Sequence, residues 1–311
     1  MFQYMTGLKT KGRSGCVLCR ELVKWRYSNP LKKSVYDEFR QFLPIDHPFR
    51  RELAHYFNGV HETSPPPPRA TAKDWLNTWN AARGPELPTT SRARLPPPGM
   101  NRLSIFHELP YWSDLLVPHL LDPMHIFKNV SKSLLSHLLG EKDNVAARLD
   151  LQLSNTKQDL WVQDQATSLE SSLAPYKLEN KDQVKEFFCR IKKIKTPTGF
   201  GAHLDNAFTE KDTYKGLKSH DFYNILRFHI HVAIQGMFDS NFSKSICRLS
   251  RLIRWLSKKC IHKEEIESMK QESFVVMALL QMQMSTSFFD GQVHLLVHLV
   301  EDISLLGPVP Y

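Results

Sequence analysis

Apolar positions recur at helical spacing along most of the second half of the chain, and strand-like alternation is scarce. Ile246, Leu249, Ile253, Leu256 and Cys260 mark one face of a helix predicted over Asn241–Cys260, the spacing that lines one side of an amphipathic helix. Predicted helices at His220–Met237, Lys263–Met284 and Phe288–Leu305 make a four-helix unit with it. Glu264, Glu265 and Glu267 open the third of these, where the helix dipole favours acids. The fourth is apolar nearly all round and is expected to be buried. Upstream, Met124, Phe127, Leu134, Leu135, Leu138 and Leu139 predict a helix that Gly140 can stop. Shorter helices are expected at Thr71–Arg83, with Trp75, Leu76 and Trp79 on one side, at Asn144–Leu153 and at Asp182–Lys195. Thr196–Gly201 reads as a loop. There is no internal repeat and no convincing strand series, so the fold class is mainly α with a C-terminal helical bundle.

Two proline-rich breaks divide this pattern. Pro65–Pro68 is a four-proline run that must be extended, and Gly84–Gly99 is a second linker. They make residues 1–100 look like an appendage with little core of its own. The expected division is therefore 1–100, 101–195 and 196–311.

Composition narrows the class without naming a function. Hydrophobic residues at 41% and charged residues at 23% allow a buried core and exclude a wholly disordered chain. The net charge of +9 attracts polyanions such as DNA or RNA, but many proteins that never meet nucleic acid share it. No apolar run approaches the ~18 residues of a membrane span, and the first residues lack the apolar region of a secretory signal. Of five cysteines only Cys16 and Cys19 lie close in sequence, which fits a reducing compartment, cytosol or nucleus.

Candidate chemistry is confined to a few places. Cys16-Val-Leu-Cys19 has the spacing with which two thiolates grip one tetrahedral Zn2+, yet a structural site wants four ligands. No second such pair exists, so histidines would have to complete it. His119 and His125 are the best pair, with His47 in reserve; the alternatives are two free cysteines, and histidines that pack or cap. Asp122, followed by Pro123, suits a helix N-cap. Asp122 could equally be one carboxylate of a two-metal phosphoryl-transfer site, although no partner acids are obvious. His294 and His298 sit one helical turn apart and could share a metal, or be buried hydrogen-bonded histidines in an apolar helix. Lys244, Arg248, Arg251 and Lys258, with Arg254 and Lys259, form a cationic stripe that could track a phosphate backbone or be a solvated face. Arg190–Lys195 reads either as a nuclear import signal or as a basic helix end. Phosphate loops, dinucleotide fingerprints, nucleophile elbows and deaminase signatures are absent.

Several stretches together resemble the proteins of plant CACTA (En/Spm) transposons. They are Cys16 to Cys19, VYDEFRQFLPIDHPFR from Val35, FNGVHETSPP from Phe57, and Leu109 to Val130 with Asp122, Met124, His125, Lys128 and Asn129 as its core. A further set runs from TPTGFGAHLDNAFT at Thr196 and GLKSHD at Gly216 to SFFDGQVHLLVHLVEDISLLGP at Ser287. That set is similar to the helical domain of unknown function that follows the transposase region in this family. The resemblance implies a partial RNase H-like transposase, whose intact parent uses Mg2+ for DNA strand transfer at transposon ends. It implies a structural Zn2+ on Cys16, Cys19, His119 and His125, and Asp122 as the local candidate for a core acid. It also implies a nuclear protein that meets DNA, copies of itself or other transposon proteins. Phe127 stands where the family often has Glu, and the earlier catalytic aspartates are expected ahead of residue 1. The expectation is thus an incomplete transposase, inactive alone, or a non-catalytic binding module.

Overall fold

The computed structural model describes residues 6–9, 16–52, 54–57, 59–83, 96–117, 120–162, 173–195, 204–208 and 213–308. The loop expected at Thr196–Gly201 lies outside the described residues, as do His119 and residues 84–95 of the second proline-rich linker. The chain is mainly helical, as its periodicity predicts. A two-stranded antiparallel hairpin, β1 (Arg26–Ser28) with β2 (Lys33–Val35), makes up the only sheet among the described residues.

In chain order the helices are α1 (Ala72–Arg83), α2 (Pro123–Leu138), α3 (Val145–Leu153), α4 (Lys181–Lys193) and the short α5 (Leu204–Ala207). The C-terminal group is α6 (Ser219–Asn224), α7 (Ile230–Ala233), α8 (Ser240–Leu256), α9 (Lys263–Gln283), α10 (Gly291–His294) and α11 (Leu296–Leu306). A π-helical turn at Ile225–His229 joins α6 to α7, within the single helix expected there.

Caps fix several helix starts. Asp122 accepts the His125 amide at 3.1 Å with Pro123 at the first position of α2. Asp239 and Asp290 likewise accept amides at the heads of α8 and α10. Gly140 leaves α2 with φ +77, a backbone conformation that favours glycine.

The apolar stripes of α8, α9 and α11 bury Ile246, Leu249, Ile253, Met277, Leu280, Leu296, Val297 and Val300 completely or nearly so, with α9 packed on both of the others. Leu134, Leu135 and Leu138 of α2 enter the same core.

The N-terminal segment fastens itself to this bundle instead of standing apart. Phe39 meets Phe289, Phe42 meets Phe274, and the Tyr36 amide donates to the Phe289 carbonyl at 2.9 Å. Arg26 grips Asp150 with both guanidinium arms, at 2.7 and 2.6 Å, the bidentate fork that arginine makes with a carboxylate. Arg50 is fully buried and donates to the carbonyls of Gln41, Leu43, Glu62 and Ser64, tying together a stretch with little regular structure. Lys24 is likewise engaged, its ammonium reaching Glu62 at 2.8 Å.

Candidate metal centre

Cys16 to Cys19 form a tight turn in which the Arg20 amide donates to the Cys16 carbonyl at 3.0 Å and Arg20 takes φ 57. Two contacts from the segment around α1 seat this turn. The Ala70 amide donates to the Leu18 carbonyl at 2.7 Å, and the indole of Trp75 donates to the Val17 carbonyl at 3.0 Å. Both thiols are buried.

Two histidines from the junction of α10 and α11 face them. Cys19 Sγ lies 3.1 Å from His298 Nε2 and 3.6 Å from His294 Nε2, and Cys16 Sγ lies 3.5 Å from His298 Nε2. The two Nε2 atoms are 3.2 Å apart. All four ligand atoms fall within 4.8 Å of one another, and among the described residues no other group of three or more Cys, His, Asp or Glu side chains converges in this way.

These distances fit a tetrahedral ion. With Zn–S of about 2.3 Å and Zn–N of about 2.0 Å, tetrahedral S···N and N···N edges are about 3.5 and 3.3 Å. A purely hydrogen-bonded reading is awkward, because the Nε2 atoms point at each other as well as at the sulfurs. The Cys19 amide donates to Cys16 Sγ at 3.4 Å, a contact that stabilises a negative sulfur.

The electrostatics agree. Burial pushes the Cys16 thiol up, but the hydrogen bond from Cys19 and the charges of His298 and His294 outweigh it and bring it well below the usual thiol value. Burial and the neighbouring Cys16 drive Cys19 the other way. Burial lowers His298, but the Cys16 sulfur and Glu301 overcome this and raise it to about 9. Burial leaves His294 low. A divalent metal bound here would take the place of protons on the sulfurs and on His298. The buried Cys16, Cys19, His294 and His298 can bind a metal such as zinc.

Residues 1–81 match the family model described as transposase family tnp2, and residues 256–311 match that of a domain of unknown function, DUF4218. Together these matches support a transposon-derived protein. No curated protein and no solved structure matches the chain. The cluster takes its thiols from the first matched stretch and its imidazoles from the second.

Cys16 and Cys19 are brought together, and the imidazoles that meet them are His294 and His298; of the pair His119 and His125, His119 lies outside the described residues. His125 is turned away: its Nδ1 lies 2.6 Å from Asp122 Oδ2 in a pair whose side chains are 62% and 59% exposed, and it takes no part in the cluster. His47 instead caps its own turn, accepting the Phe49 amide at 3.2 Å. His294 and His298 had the right signal in their i, i+4 spacing, but their apolar helix favoured a structural reading. Asp122 stands at the head of α2 as an N-cap, and no third ligand-type side chain gathers there among the described residues.

The cationic stripe that begins on α8 is only partly paired with acids. Arg248 and Arg251 both bind Glu272, at 2.6 and 2.8 Å, and Lys258 binds Glu265 at 3.0 Å, while Lys244 is exposed. Arg190, from the basic run, holds Glu186 and the carbonyls of Ala233 and Gln235. No helix among the described residues is long and apolar enough to cross a membrane.

Proposed function

We propose that this chain is a zinc-stapled, non-cleaving part of a CACTA (En/Spm)-type transposase, in which the C-terminal helical region completes a metal site begun in the transposase segment. The convergence of Cys16 and Cys19 with His294 and His298 carries the reading, because each matched stretch contributes half of one tetrahedral donor set. Zn2+ on two thiolates and two neutral imidazoles is saturated by protein ligands and leaves no position for substrate, which makes it structural. When bound it supplies cross-linking, not reaction chemistry.

The parent activity is DNA strand transfer at transposon ends in the nucleus. Strand transfer by two divalent ions needs several carboxylates around one phosphodiester. Asp122 is the acid that the family resemblance nominates, and it is engaged as a cap beside His125.

The test uses the purified chain, with metal content and nuclease activity measured side by side. One zinc per chain and no cleavage of terminal-repeat DNA in Mg2+ or Mn2+ is the expected result. Cleavage would overturn the non-cleaving assignment, and absence of stoichiometric zinc would overturn the staple.

A further inference from the structure

Resting on that zinc reading, we propose that Glu301, itself held by Arg69, is the positioning residue of the metal site and fixes which nitrogen of His298 faces the ion. Glu301 Oε2 lies 3.0 Å from His298 Nδ1, one turn along α11, and the His298 side chain is only 4% exposed. A carboxylate at Nδ1 accepts the ring proton there, which leaves the Nε2 lone pair free. It is Nε2 that faces Cys16 Sγ, Cys19 Sγ and His294 Nε2. A carboxylate behind a metal-bound imidazole sets its tautomer, its orientation and its basicity.

Arg69 makes this arrangement more than a local i, i+3 pair. Its Nη1 donates to Glu301 at 3.3 Å and its Nη2 to Asp302 at 2.6 Å. Arg69 follows directly on the four-proline run Pro65–Pro68. The next residue, Ala70, donates its amide to Leu18 between the two cysteines. A closed circuit therefore runs from the thiol turn through Ala70, Arg69 and Glu301 to His298. The same short segment aims ligands of both kinds.

His294 has no such support. Its Nδ1 is buried with no hydrogen-bond partner among the described residues, and its ring is instead stacked on Tyr36, with centroids 4.9 Å apart and planes at 23°. Of the two imidazoles, then, His298 is the one held by a second hydrogen bond, and Glu301 supplies it.

The experiment measures the Zn2+ affinity of the full chain by competition with a chromogenic chelator, alongside the visible spectrum of the Co2+-loaded protein. Glu301→Gln should weaken zinc by about 10- to 100-fold and shift the Co2+ bands. Arg69→Gln should weaken it in the same direction by less, and Glu272→Gln, whose ion pairs touch none of the four ligands, should leave it unchanged. Glu301→Gln binding zinc as tightly as the unaltered chain would overturn the inference. An unaltered chain that binds no zinc would instead sink the metal reading beneath it. Nitrogen NMR of the unaltered zinc-loaded protein gives a check that no variant's folding can confuse. A proton on His298 Nδ1 with metal on Nε2 supports the assignment, and the reverse arrangement overturns it.

Discussion

The cluster of Cys16, Cys19, His294 and His298 and the pair Asp122–His125 differ in a way that sequence proximity conceals. Asp122 and His125 are neighbours along one helix, lie in the stretch with the most familiar motif, and end exposed with their polar atoms spent on each other. The four metal-type ligands are separated by up to 282 positions, yet all are buried and aim at a common point. A site is made by convergence and desolvation, and a local motif supplies neither. Burial is what makes the second group reactive toward a cation, because polar atoms removed from water must find a partner.

Substitutions at the two places should separate them sharply. Cys19→Ser or His298→Ala should abolish stoichiometric zinc and, for the loaded protein, cost more than about 4 kcal/mol of stability, the range in which loss of a structural metal falls. Chelator-dependent melting of the unaltered chain, absent in the variants, is the measurement. If both variants keep one zinc per chain, the contrast drawn here is broken.

Another histidine shows what burial does without convergence. His137 is fully buried between the Ser133 carbonyl, 2.7 Å from Nδ1, and the Ser287 hydroxyl, 2.8 Å from Nε2. Burial above all, with Lys33 and Lys142 adding to it, lowers its pKa to about 4. The unfolded chain therefore binds this proton first, between pH 6.5 and 4. Stability present above pH 6.5 is lost as pH falls through that window, by up to roughly 3 kcal/mol. The pH dependence of urea midpoints for the unaltered chain minus that for His137→Gln should show this slope. Parallel curves would refute it.

At the exposed pair the effect should be smaller. Asp122→Ala should cost about 1 kcal/mol, the worth of an N-cap, and leave zinc content untouched. A loss of zinc there would mean that the thiols reach the head of α2 after all. Smallest of all, Arg248→Ala should cost no more than about 1 kcal/mol, since Arg251 still holds the half-buried Glu272 at 2.8 Å. The slope of DNA affinity against salt should change by no more than about one ion, because Arg248 shares Glu272 with Arg251.

The helices were largely legible because their apolar residues recur at helical spacing and their caps are local. Asp122 with Pro123, Asn144 ahead of α3 and Gly140 after α2 all act within a few residues of where they are read. The hairpin was not legible. Its strands are three residues long, too short for alternation to show, and they are held by pairs such as Arg26 with Val35. Cys16 and Cys19 were legible as ligands by their spacing. Their partners were not, since nothing local says that α11 returns to the thiol turn. His294 and His298 carried a metal-like spacing inside a stripe that packing alone would explain. Residues 1–100 looked thin because charged side chains there, Arg26 and Arg50 above all, are spent inside the fold in contacts that composition cannot reveal.

The separation of 282 positions between Cys16 and His298 has a mechanical consequence. An ion held there turns a string into a hoop, and closing so large a hoop removes much of the freedom that the disordered chain would otherwise enjoy. A protease nick in any surface turn between those two residues should then leave the fragments travelling together through a sizing column until a chelator is added.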